Sequence, residues 1–136
     1  MLIQLSHDAY YRLSADRPLG IVVAVRSAAP YPGVSDLKRA FDHLDEGLRA
    51  VDRPRFVLIF DVRRGPIRND PVFESVSNER RRRVQTGFAR RCVLVATQLG
   101  KAQISRHAAT DPFAVEVFDD PEVLKRALGV GDKLKL

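Results

Sequence analysis

Apolar positions along the chain fall into two rhythms. Unbroken apolar runs occur at residues 20–25, 56–60 and 92–96, rich in Val and Ile. Such runs predict strands covered on both faces. Tyr11, Leu13 and Ala15 alternate with Arg12, Ser14 and Asp16, the two-residue period of a half-buried strand. Leu2, Ile3 and Leu5 form a short apolar start before it, and residues 16–20 read as a turn. Phe113, Val115 and Val117 alternate again and predict a further core strand near a sheet edge.

The second rhythm is helical. Leu37, Phe41, Leu44, Leu48 and Val51 follow one another at spacings of four and three, with charged residues between them. Ser35 suits the N-cap and Asp36 the first turn, and the stretch around Pro54 ends the helix. Asp70 followed by Pro71 is a cap-then-proline start, predicting a helix to about Gly87. Asp70 is thus a structural residue. Thr97 to about Ala109 predicts a weaker helix with Leu99, Ala102 and Arg106 along one side. Asp120 and Pro121 repeat the start signal for a short helix stopped by Gly129.

The order is two or three strands, then helix and strand alternating three times, then a last helix. It predicts an α/β fold: a mixed, largely parallel sheet with N-terminal antiparallel strands and about four helices. The whole is one domain over residues 1–129, followed by a tail, 130–136, expected to fray.

One position breaks the pattern of the second long helix. Its apolar members are Val72, Phe73, Val76, Val84 and Phe88, and at about 100° per residue Arg80 falls in the middle of their face. Arg81 and Arg82 then point outward. A cation in a buried stripe must snorkel or meet a partner. Arg80 is therefore expected to be buried and paired with a carboxylate or backbone carbonyls, Asp61 being the first candidate.

Composition narrows the function classes. No apolar stretch approaches a membrane span, and the start lacks a signal peptide's charged and apolar regions. The single cysteine, Cys92, sits in an apolar run, which fits a buried, inert thiol in a reducing compartment. The expected location is cytoplasmic. The basic residues are 18 Arg against 5 Lys, a bias of GC-rich bacterial genomes. A net charge of +6 permits nucleic-acid contact. However, Arg80 to Arg83 on a helix point nearly all round it, and no aromatic residues interleave with the basic ones. Nucleic acid is the least favoured partner.

Catalytic patterns do not emerge. His7, His43 and His107 are scattered without metal-ligand spacing, and no Gly-x-Ser-x-Gly, Walker or Gly-x-Gly-x-x-Gly string occurs. No enzyme activity, metal or cofactor is expected. Asp61 closes a buried strand, where α/β proteins place functional carboxylates. Arg64, Arg68 and Asn69 precede the helix that starts at Pro71, where free N–H groups favour an anion. These four are the candidate ligand-binding residues.

The element order, the strand ending in Asp61, and the segments 93–100 and 117–124 together resemble STAS (SpoIIAA-like) domains over nearly the whole chain. The resemblance implies a compact, non-enzymatic signalling module that works through protein partners. It also implies a phosphorylatable Ser or Thr where the second helix starts. Residues 65–71 contain no hydroxyl, and Ser75 and Ser77 lie within the helix. The leading expectation is thus a regulatory or scaffolding module that binds another protein, or a second copy of itself. The alternatives are a nucleotide- or lipid-binding domain and a basic nucleic-acid accessory protein. A concave apolar pocket with converging polar groups would favour the ligand.

Overall fold

The computed structural model describes residues 1–66, 68 and 70–136. Six strands form one sheet in sequence order: β1 (Ile3–His7), β2 (Tyr11–Asp16), β3 (Ile21–Arg26), β4 (Val57–Asp61), β5 (Arg90–Leu94) and β6 (Glu116–Phe118). β1, β2 and β3 pair antiparallel, and β3 to β6 pair parallel. Four helices follow the parallel strands: α1 (Val34–Gly47), α2 (Pro71–Gln85), α3 (Gln98–Ala108) and α4 (Pro121–Ala127). This is the α/β mixed-sheet architecture that the alternating pattern predicts.

Strand parity sorts the core into two layers. Leu13, Val22, Ala24, Leu58, Phe60, Val93 and Val95 face α1 and α2, with Ile104 of α3 against the same layer. Ile21, Val23, Ile59, Cys92 and Leu94 face the other way, toward Leu124 of α4. Three successive parallel crossovers of one hand must put their helices on one side, which leaves only α4 for the other. The C-terminal segment completes that thinner layer. Leu134 is buried, and Val130 and Leu136 pack beside it. The tail expected to fray is instead held, because the sheet's second face would otherwise expose its apolar side chains.

The α1 stripe is buried throughout, Leu37 to Val51. The helix is capped differently than the sequence suggests. Gly33 is the N-cap, and the Asp36 carboxylate accepts its N–H at 3.0 Å. α1 ends at Gly47, and a 3-10 turn carries Leu48 into the core. Asp70 caps α2 as expected, accepting from the Val72 N–H at 3.0 Å.

α2 carries little apolar surface to hold it. Phe73 and Val84 are buried, yet Val72 is 62% exposed. Arginines supply the grip. Arg80 is mostly buried and donates to Asp42 on α1, as its place in the stripe demands, though to a different carboxylate than Asp61. Arg53 donates to Asp45 at 2.8 Å and to the carbonyls of Val84 and Thr86, at 3.0 and 2.9 Å, closing the C-terminal end of α2. Arg81 and Arg82 do not point outward to water. Both donate to Asp111 beyond α3, whose side chain is fully enclosed.

Replacing Leu44, the centre of the α1 stripe, by Ala should cost about 2–5 kcal/mol, the range for a buried leucine whose site cannot collapse. Urea denaturation measures it. A loss under about 0.5 kcal/mol, ordinary for surface changes, would contradict this packing.

Candidate functional site

α2 lies along α1, whereas α2 and α3 stand apart and are joined by side chains. Between them, over the sheet, opens a cleft of about 450 Å3. Its floor is Phe60, Val93, Val95 and Val115, and Ile104 lines it from α3. Phe73, Ser77, Asn78, Arg81 and Gln85 line it from α2, a helical stripe of mostly polar residues. A helix whose inward face is polar cannot close down on an apolar floor without stranding those groups, so the space stays open.

Several of these polar groups are buried. Gln85 is 0% exposed; its Oε1 accepts from Arg81 at 2.7 Å, while its Nε2 has no hydrogen-bond partner. Among the described residues, the Tyr31 hydroxyl is likewise buried with no partner within 3.5 Å, and burial pushes its phenol up. Arg26, at the end of β3, has the parity of Val22 and Ala24 and so points under the helices. It is 5% exposed, and its guanidinium lies 4.4 Å from the centre of the Tyr31 ring. His107 is held on both sides: Nε2 lies 3.1 Å from Glu74 Oε1 and Nδ1 3.5 Å from Asn78 Nδ2. Through these two contacts His107 bridges α3 to α2.

The sequence-predicted site residues separate. Asp61 has odd parity on β4, like Ile59, and therefore faces away from α1 to α3. Its carboxylate is taken by Arg63, through Nε at 3.0 Å and Nη2 at 2.8 Å, which raises the Arg63 pKa. Arg64 is exposed and lines a second hollow with His7, Asp8 and Arg12, which Arg26 also borders. Arg68 does line the cleft; its guanidinium stacks 3.2 Å from the Phe73 ring centre and donates to the Tyr31 carbonyl at 3.0 Å. Asn69 lies outside the described residues. Asp70 is the α2 cap.

Arg26, Tyr31, Gln85, Asn78 and His107 were not visible as a site from local sequence. The usable signals were the even parity of Arg26 at the end of a doubly buried strand, and a tyrosine placed between Pro30 and Pro32. No protein-family model, curated protein or solved structure matches the chain.

The Cys92 thiol is buried, and desolvation pushes its pKa up to about 12, far from a reactive thiolate. Among the described residues, no group of three His, Cys, Asp or Glu could hold a metal ion, and no helix is long and apolar enough to cross a membrane. Of the nine arginines between positions 63 and 91, all but Arg64 and Arg91 have a carboxylate within 4 Å. Among the described residues these seven arginines thus have a counter-charge within the fold, Arg81 and Arg82 sharing Asp111.

The clasp that spans the cleft has a pH signature. Burial raises the Asp111 carboxyl, but the hydrogen bonds from Arg81 and Arg82 outweigh it and hold the group below its usual range. Such a carboxylate stabilises the fold fully above its unfolded pKa of about 3.9, and the gain is lost as pH falls through the lower folded value. Asp111→Asn should therefore be most destabilised near neutrality, with the gap to wild type closing below about pH 4. Urea midpoints across that range check it; a gap that does not vary with pH would mean that charge is not what Asp111 contributes.

Proposed function

We propose that this protein is a non-enzymatic binding module that encloses one small amphipathic molecule between α2 and α3. The observation that carries this reading is the cleft: about 450 Å3, apolar in its floor, with the buried donors of Tyr31 and Gln85 unpartnered among the described residues. Small-molecule sites occupy about 300–1,000 Å3 and combine apolar walls with a few convergent polar groups. Buried polar groups are nearly always hydrogen-bonded, so two orphans lining one cleft point to an absent acceptor.

A non-enzymatic role is supported by the engagement of His107 and the shielding of Cys92. The second reading, in keeping with the resemblance to STAS domains, is that a protein partner docks on the loaded module. Val72 and Leu99, in the first turns of α2 and α3, are 62% and 79% exposed. Both helices start at the C-terminal edge of the parallel strands, and these side chains would give a partner an apolar grip there.

Nile red, a neutral apolar dye, should bind at a single saturable site. Ser77→Trp, which fills the cleft from the α2 side, should abolish that binding, while the fold persists by circular dichroism. Unchanged dye binding in Ser77→Trp, or none in the wild type, would defeat the proposal.

A further inference from the structure

We infer that the molecule in the cleft carries a carboxylate, received by the Arg26 guanidinium and the Tyr31 hydroxyl. The inference rests on the cleft being a ligand site and adds the charge and chemistry of what enters it.

Arg26 is the unusual group. Its side chain is 95% removed from solvent, yet among the described residues no carboxylate lies within 4 Å of it. Its hydrogen bonds run from Nη1 alone, to the Ser27 carbonyl at 2.7 Å and the Ser27 hydroxyl at 3.4 Å. A guanidinium has five N–H donors and no acceptor, so Nε and Nη2 are left to give. The three tyrosines of the chain surround it, with ring centres at 4.4 Å (Tyr31), 5.5 Å (Tyr10) and 5.8 Å (Tyr11). These rings favour the cation by their quadrupoles, and the Tyr31 hydroxyl lies near enough to the guanidinium to favour it too. The β4–α2 loop braces the stem: a Cβ on Gly65 would stand 3.1 Å from Arg26 Cγ. The arginine is therefore held at the cleft wall with donors to spare.

Tyr31 adds a second donor. Its hydroxyl is buried beside the Tyr11 hydroxyl and the Arg26 guanidinium, which favour its lone pairs; its own O–H has no acceptor among the described residues, and burial keeps the phenol protonated. Two convergent donor groups, one of them cationic, fit an acceptor-only group with two oxygens and a negative charge. The other arginines that line the cleft are already engaged, Arg81 by Asp111. Arg63 holds Asp61, and Arg68 lies against Phe73 with Asp70 at 3.9 Å. Among the described residues, Arg26 is the arginine lining the cleft with no carboxylate within 4 Å, and one such cation calls for one negative charge, a carboxylate rather than a phosphate dianion. The apolar floor then receives an alkyl or aryl body.

Calorimetric titration with decanoate, decan-1-ol and decyl phosphate tests this on the wild type, Arg26→Gln and Tyr31→Phe. Decanoate should bind the wild type about tenfold or more tightly than the alcohol, as expected for a charge-assisted pair. Arg26→Gln should bring decanoate down to the level of the alcohol and leave the alcohol unchanged. Tyr31→Phe, which removes a single oxygen and keeps the ring, should weaken decanoate about three- to tenfold. It keeps the inference testable if Arg26→Gln does not fold. Equal affinity for acid and alcohol, decyl phosphate binding far more tightly than decanoate, or undiminished decanoate binding in the variants would overturn the inference. Nile red separates the two levels. If the dye binds and decanoate does not, the carboxylate is wrong and the cleft stands. If neither binds, the cleft reading falls with it.

Discussion

The fold is organised by how α2 is held. Its sequence offers too few apolar side chains to seat it by packing alone, and its inward stripe below Phe73 is largely polar. Ion pairs do the rest, and consecutive arginines serve both sides because a helix turns about 100° per residue. Arg80 reaches back to Asp42 on α1, while Arg81 and Arg82 reach forward to Asp111 after α3. Long side chains set a wider spacing than leucines meshing between helices would. The α2–α3 gap follows from that, and the cleft is its volume.

Sheet parity then decides which charged groups can serve the cleft. Arg26 and Asp61 close neighbouring parallel strands, and Val25 is the register partner of Asp61. Arg26 is thus one residue beyond the partner of Asp61, and one residue is a reversal of face. Asp61 falls on the α4 side and is satisfied by Arg63; Arg26 falls under the helices with only aromatic rings and Ser27 for company. The same alternation that builds the two core layers keeps apart the acid and base that proximity in the sheet would otherwise join.

Much of the structure was legible in the sequence. Doubly buried strands, the α1 stripe and the aspartate–proline helix starts each rest on local chemistry, and these local preferences agree with the fold built from them. The expectation for Arg80 also came from spacing alone, because burial of a helix face fixes which residues lie on it. Its partner did not, because Asp42 is 38 residues away on another helix. The outward orientation expected of Arg81 and Arg82 failed for a related reason: the wheel of α2 contains no information about the segment after α3 that covers its other side.

The candidate site was the least legible part. Asp61, Arg64 and Arg68 were conspicuous because they flank a strand end and a helix start, yet only Arg68 lines the cleft. Arg26, Tyr31 and Gln85 belong to three separate elements or loops, and nothing local marks them as neighbours. The sequence by itself determined the elements, their order and the faces they bury, since those depend on interactions over a few residues. Only the tertiary structure decided that the polar stripe of α2 faces an open space and that Arg26 ends there with no carboxylate within 4 Å among the described residues. Both depend on which distant side chains arrive when the sheet and helices close, and pairing at that range is fixed by topology rather than by neighbours along the chain.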